Sequence, residues 1–242
     1  MQVWRLLTTW DAPPDFNMGL DEALLERQDT PLTLRLYTWS PDTISLGYFQ
    51  RYAAVQGTEQ VGAVVRRITG GGAIHHCHEL TFSIVAPLEH ALYRGPIADS
   101  YARVHAILVR ALAAHGVEAS LRGARSLDSD RAGTGMCFHT STPLDVVWSE
   151  RKGIGSAQRR RGGRVLHHGS IKLGPSPLEA GIATLQGAHG PFSDPDLVPA
   201  LRAAFEELGH VRLEAAVAEP EEHSQALERG ARYLAAEFVR RR

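Results

Sequence analysis

Leu32, Leu34 and Leu36 alternate with Thr33, Arg35 and Tyr37. That period-two pattern predicts a half-buried strand over 32–39. Upstream, residues 3–9 predict an edge strand. Leu20, Leu24 and Leu25 then fall on one face of a helix that Asp15 or Asn17 can cap and that runs to about residue 27. Downstream, Ser40-Pro41-Asp42 turns into a strand over 43–48. A strand over 61–68 breaks at Gly70-Gly71-Gly72 and resumes over 73–86. Residues 99–115 predict a helix, with Ala102, His105, Ala106 and Val109 at helical spacing and Gly116 as its stop. Residues 122–135 carry almost no apolar side chains and predict a mobile loop. Strands over 145–148, 151–158 and 164–173 follow, joined by tight turns, and then terminal helices over 195–208 and 221–239. Strands joined by short turns rather than βαβ crossovers predict an α+β fold, with a mixed, largely antiparallel sheet flanked by helices.

With 242 residues, 43% of them hydrophobic, the chain can bury one sizeable core. It shows no low-complexity linker and no internal repeat, so a single domain over 1–242 is expected. The net charge of −1 gives no general electrostatic reason to hold nucleic acid or a membrane. No apolar run approaches the roughly 18 residues of a membrane span. Met1-Gln2-Val3-Trp4-Arg5 lacks the layout of a secretory signal. Two cysteines cannot build a disulfide framework, so a reducing cytoplasm is expected, where a free thiol can react. A monomer is expected.

Chemistry concentrates between Cys137 and Ile171. The thiol is followed by Lys152-Gly153-Ile154-Gly155-Ser156-Ala157 and then by His167-His168-Gly169-Ser170. A thiol, an amine, small residues and a His-Gly pair suit acyl transfer. Fifteen positions separate Cys137 from Lys152, so any meeting of the two must be tertiary. Cysteine is often a small buried hydrophobe, but Gly133-Thr134-Gly135 and His139-Thr140-Ser141-Thr142 make this neighbourhood polar. Among 26 Lys+Arg, only Lys152 and Lys172 are lysines. A retained lysine suggests a specific task, such as a point charge at a carbonyl oxygen, against the alternative of a solvated strand edge.

Gly70-Gly71-Gly72 reads either as a turn or as bare backbone facing a ligand, with Arg66-Arg67 placed to meet phosphate. In His75-His76-Cys77-His78-Glu79, strand alternation sets His75, Cys77 and Glu79 against His76 and His78, so no metal site is expected. His167 and His168 read either as core histidines or as a proton relay. Arg159-Arg160-Arg161 with Arg164 reads as a solvated hairpin tip or as a docking point for an acidic protein. Arg240-Arg241-Arg242 suits a helix C-terminus.

Four blocks of the chain resemble the lipoate/octanoate transferase and biotin/lipoate ligase family, and within it the cysteine-dependent octanoyltransferases. They are Asn17-Met18-Gly19-Leu20-Asp21-Glu22-Ala23-Leu24-Leu25, as the first helix; Leu34-Arg35-Leu36-Tyr37-Thr38-Trp39 with Ser45-Leu46-Gly47-Tyr48-Phe49-Gln50, as a first hairpin; Arg66-Arg67-Ile68-Thr69-Gly70-Gly71-Gly72-Ala73-Ile74-His75-His76 with Glu79-Leu80-Thr81-Phe82-Ser83, as the acyl-binding loop; and the stretch 137–171. Together they span roughly residues 4–175. The resemblance implies a biotin/lipoate protein ligase catalytic-domain fold. It implies octanoyl transfer from acyl carrier protein to a lysine of a lipoyl domain, such as the glycine cleavage H protein, through a Cys137 acyl-enzyme with Lys152 at the acyl carbonyl. It places substrate contacts at Arg67, Thr69, Gly70, Gly71, Gly72, Ala73, His76, Gly155, Ser156, Ala157, His168 and Gly169. No cofactor is implied. The alternatives are an ATP-dependent lipoate ligase using ATP and magnesium, an amidotransferase working between lipoyl domains, and a binding module without chemistry. Many transferases of this type carry arginine where this chain has Gly72, and a third glycine is also seen in the ligases.

Overall fold

A computed structural model describes residues 2–242. In chain order it contains β1 (Gln2–Ala12), α1 (Pro14–Glu26), β2 (Thr33–Trp39), β3 (Thr43–Leu46), β4 (Ala63–Arg66), β5 (Ile74–His76), β6 (Glu79–Pro87), α2 (Ile97–Ala113), β7 (Ser120–Leu121), β8 (Val146–Trp148), β9 (Arg151–Arg161), β10 (Arg164–Lys172), α3 (Leu185–His189), α4 (Asp194–Leu208), β11 (Val211–Ala216), α5 (Pro220–Gly230) and α6 (Ala236–Val239). Eight strands form one sheet in the order β11-β1-β2-β6-β10-β9-β8-β7, and β4-β3-β5 form a second. β1 runs parallel to both of its neighbours, and the rest of the large sheet is antiparallel. This is the mixed, largely antiparallel α+β architecture that the turn pattern predicts.

Several local expectations are corrected. β1 is an interior strand and β11 is the edge, because α1 carries the chain across to β2 as a parallel crossover. β11 was not anticipated. Its alternating Val211, Leu213 and Ala215 lie in a short polar run between helices. β2 is buried on both faces rather than one. Its polar face meets α1, where Arg35 and Tyr37 bond the buried Asp21 carboxylate at 3.0 and 2.9 Å. A half-polar strand tolerates this burial because its polar side chains find partners, Arg35 Nε excepted.

α1 has no side-chain cap. Asn17 is buried and donates instead to the Ala12 and Thr38 carbonyls. α2 buries Val104, His105, Ile107, Leu108, Ala111 and Leu112, while Ala106 is exposed, so its inner face is rotated from the expected one. β2 and β3 lie in different sheets and form no hairpin. Residues 73–86 split into β5 and β6 around His78, which takes a positive φ of 46°. That turn breaks the alternation and puts His76 beside Glu79. Residues 122–135 are irregular, yet Leu127 and Ser129 are buried. The expected last helix is α5, a 3₁₀ turn and α6.

One face of the large sheet packs on α2 and α4 through Leu34, Leu36, Phe82, Ile84, Ile107 and Leu201. The other packs on α1 and α5 through Leu7, Leu20, Leu24, Val85 and Leu166. α1 and α5 approach so closely that a Cβ on Gly19 would lie 2.0 Å from the Ala226 carbonyl oxygen. Among the described residues, no helix is long and apolar enough to cross a membrane.

Candidate active site

Cys137 opens a 3₁₀ turn, Cys137–His139, and is partly exposed. Its N–H donates to the Ala73 carbonyl at 2.7 Å, and Ala73 N–H donates to the Gly135 carbonyl at 2.9 Å. These two bonds fasten the glycine loop to the segment bearing the thiol. A Cβ on Gly72 would sit 3.0 Å from both the Cys137 Cα and N. A side chain there would press on the thiol's own backbone.

Lys152 projects from β9 and is 1% exposed. Its Nζ lies 3.4 Å from the Cys137 Sγ, so the fifteen-residue separation is closed in space. The same ammonium donates to the Cys137 and Thr140 carbonyls at 2.9 and 3.1 Å and pairs with Asp145 Oδ2 at 3.0 Å. Burial pushes the Lys152 ammonium down, but negative charge at Cys137 and the Asp145 carboxylate outweigh it, and the group stays above its ordinary value. Asp145 was not anticipated as a site residue. A signal existed, because it is the only carboxylate between Arg131 and Ser149 and a buried ammonium needs one. Gly155 makes room for the pair. A Cβ there would lie 2.9 Å from Lys152 Cε and 3.3 Å from Cys137 Sγ.

Beside the thiol is a small cavity. Of the expected contacts, Arg67, Gly71, His76, Ser156, Ala157, His168 and Gly169 line it together with Cys137. Thr69, Gly70, Gly72, Ala73 and Gly155 are not among its lining residues. The apolar lining comes from Met18, Tyr37, Trp39 and Ile74, which stand within the motif blocks but were not named as contacts. Gly169 lies opposite Ser156 in the β9–β10 register, and a Cβ on it would meet the Gly155 carbonyl at 2.6 Å.

The two loop arginines differ. Arg66 spends its donors on the Gly47, Gln50 and Val239 carbonyls, at 2.8, 2.6 and 2.6 Å, so it holds the fold together rather than awaiting phosphate. Arg67 donates to the Gly70 and Gly72 carbonyls, both at 2.7 Å, and to the Ser45 carbonyl, also at 2.7 Å. Burial pushes Arg67 down to about 10. It has no carboxylate within ion-pair distance among the described residues.

His76 bonds Glu79 at 2.9 Å and Ser45 Oγ at 2.8 Å and stacks on Trp39 at 3.9 Å. Burial carries it down to about 4, so it is neutral at physiological pH. His168 Nδ1 meets Asp21 Oδ2 at 3.2 Å, and its Nε2 meets Thr69 Oγ1 at 2.6 Å. An ionised carboxylate only accepts, so Nδ1 carries the proton and Nε2 accepts from Thr69. Burial opposes the Asp21 charge, but His168, Arg35 and Ser83 together hold its pKa below the usual value. His167 points the other way. It bonds Ser156 Oγ at 2.9 Å, and His105 of α2 bonds the same oxygen at 2.7 Å.

The Lipoyl protein ligase A/B catalytic domain family matches residues 13–184. Octanoyltransferase LipM of Moorella thermoacetica is 42% identical over 179 residues, covering 71% of this chain and 66% of that protein. Octanoyltransferase LipM of Kyrpidia tusciae is 38% identical over 219 residues, covering 86% and 77%. Among solved structures, a lipoate-protein ligase A bound with ATP superposes with a TM-score of 0.80 at 22% identity, covering 99% of each chain. A bi-partite lipoate protein ligase from Thermoplasma acidophilum, studied with its E2 lipoyl domain, gives a TM-score of 0.79 at 21% identity, covering 99% of this chain and 96% of that one. At these identities the structural likeness speaks for the fold.

Proposed function

Because this chain belongs to the lipoyl protein ligase A/B catalytic domain family and sets a thiol 3.4 Å from a buried ammonium at an apolar cavity, we propose that it is an octanoyltransferase of protein lipoylation working through a Cys137 acyl-enzyme. The thiol–ammonium contact carries this reading. An adenylating ligase has no need of a nucleophile at that place, whereas thioester exchange needs one and needs no nucleotide. The donor is the octanoyl thioester of acyl carrier protein. The acceptor is the lysine of a lipoyl domain, with the glycine cleavage H protein first in line. Relatives named as octanoyltransferases support the acyl group.

In the first step Cys137 thiolate attacks the thioester carbonyl, and the carrier's thiolate leaves with the electron pair. Lys152 offers three protons to four surrounding acceptors. It therefore acts on the thiolate and the developing oxyanion mainly as a fixed charge. Among the described residues, the N–H groups of Gly71 and Gly72 donate to no protein group, which leaves them to bind the oxyanion. In the second step the acceptor amine attacks the Cys137 thioester and Cys137 leaves as thiolate. The proton shed by the amine is taken up at His168, which lines the cavity and whose charged form the buried Asp21 carboxylate would stabilise. Met18, Tyr37, Trp39 and Ile74 take the acyl chain.

Mixing the protein with octanoyl carrier protein in the absence of ATP, and measuring intact mass, is expected to show one thioester adduct. The adduct disappears in Cys137→Ser and persists in Cys77→Ser. Octanoylated H protein that forms only from free octanoate with ATP and magnesium would replace this reading with the ligase.

A further inference from the structure

A basic and aromatic surface adjoins the glycine loop, assembled from chain segments far apart in sequence. The Arg241 guanidinium lies 3.8 Å from the Tyr48 ring centre and donates to the Tyr48 carbonyl at 3.0 Å. Arg159 lies 5.6 Å over the same ring. Arg242 lies 5.5 Å over the ring of Phe49, which is 62% exposed, and Arg240 lies 4.9 Å over Tyr52. Among the described residues, none of these four arginines has a carboxylate within ion-pair distance. Their neighbours are spoken for: Arg161 pairs with Glu26, and Arg232 pairs with Glu22.

Of the basic run around the β9–β10 turn, only Arg159 belongs to this surface. Arg160 donates to Ser100 Oγ and Gln158 Oε1, and Arg164 to the Thr30 carbonyl. The pleat sets Arg159 apart from Arg160, and the Glu26 pair sets it apart from Arg161. Arg159 is two positions from Ala157, which lines the acyl cavity, so both side chains leave β9 on the same face. The surface is also locked to the glycine loop. Tyr48 N–H donates to the Thr69 carbonyl at 2.8 Å, and a Cβ on Gly47 would meet the Gly71 carbonyl oxygen at 1.8 Å. Arg66 joins the Gly47 and Gln50 carbonyls to that of Val239, which fixes the C-terminal segment in place.

We propose that this arginine–aromatic platform, Arg159 with Arg240, Arg241 and Arg242 around Tyr48, Phe49 and Tyr52, is the docking surface for the acidic carrier protein that delivers the acyl group. The inference rests on the transferase reading above and adds where the donor lands. The net charge of the chain is only −1, so four unpaired guanidinium groups on one patch are a local feature rather than a general excess. Guanidinium groups over aromatic rings are held in place, lose little freedom on binding, and present donors to carboxylates or to the phosphodiester of the carrier's prosthetic arm. Attraction of this kind steers encounter and is screened by salt.

The test is binding of holo acyl carrier protein to the full chain, followed by fluorescence anisotropy at low and high salt. The variant is Arg159→Glu with Arg240→Glu and Arg242→Glu. Arg241 is retained because its bond to Tyr48 is structural. Affinity is expected to fall at least about tenfold in the variant, with a flatter salt dependence than that of the wild type and an unchanged melting temperature. A variant that binds the carrier as tightly as the wild type, or a wild type that does not bind it, overturns the docking surface. Acylation of Cys137 by octanoyl-pantetheine, which lacks both protein and phosphate, reports separately on the transferase reading. It is expected to proceed equally in both proteins. Equal loss of this reaction in the variant would mean that the arginines support the site itself and would also overturn the proposal.

Discussion

Lys152 and Lys172 are the only two lysines in the chain, and both are buried. They are used differently. Lys172 Nζ pairs with Glu179 at 2.6 Å and donates to the His75 carbonyl at 2.6 Å, which ties the end of β10 to β5. Lys152 reaches the thiol. Removing it would leave the buried Asp145 carboxylate without its counter-charge, with the Thr142 N–H still donating to it, and the Thr140 carbonyl without its side-chain donor. Lys152→Ala is therefore expected to slow acyl-enzyme formation by about 10²–10³ and to cost about 3–5 kcal/mol of stability. Rapid-quench mass measurement and urea denaturation check the two effects. Lys152→Arg is not expected to rescue the rate, because a planar fork cannot reproduce a compact charge among four acceptors. A Lys152→Ala protein that acylates at the wild-type rate would reduce the lysine to a structural role.

At the scale of elements, the site depends on how closely β9, the glycine loop and the Cys137 turn approach. Gly155 was expected to touch substrate. Its position indicates a spacer instead, since a Cβ there would meet Lys152 Nζ at 3.2 Å and Cys137 Sγ at 3.3 Å. Gly155→Ala is expected to push the thiol and ammonium apart by a few tenths of an ångström. Acylation should slow by about 10- to 100-fold while the melting temperature changes little, and a wild-type acylation rate would show that the dyad tolerates the shift. The elements themselves were unevenly legible. β8, β9 and β10 fall close to their expected places, because alternation and tight turns are local signals. The break between β5 and β6 was missed because it depends on one residue, His78, taking a positive φ. The face of α2 was misjudged because alanines at helical spacing do not distinguish a buried side from an exposed one.

Across the whole molecule, burial holds several histidines neutral. His76 lies at about 4, and burial also pushes His75, His105 and His167 down. The unfolded chain takes up protons at these positions near pH 6.5 and the folded chain does not. Their stabilising contribution is thus complete above about pH 6.5 and declines as pH falls toward the folded values, by about 1.4 kcal/mol per pH unit for each such group. Asp21 and Glu79, both held below their ordinary values, lose their contribution only lower, below about pH 4. Unfolding free energy from urea titrations is expected to drop between pH 7 and pH 5, with a shallower slope in His76→Gln. A flat profile over that window would mean that these histidines protonate without unfolding.

What the sequence by itself determined is what local pattern and motif can carry: the α+β class, a sheet built mainly from antiparallel strands, the identity of the candidate thiol and amine, and most of the residues around the cavity. Small residues, glycines and histidines in ordered blocks mark a site because each demands a particular backbone or a particular chemistry in its own place. Tertiary structure decided the rest. The thiol–ammonium contact, the Asp145 counter-charge, the apolar lining from α1, β2 and β5, and the meeting of Arg159 with the C-terminal arginines all join residues that no local period relates. Which partners meet is set by strand order, by crossovers and by close packing at glycines such as Gly47, Gly155 and Gly169. Those follow from burial and hydrogen bonding summed over the whole core rather than from any one segment.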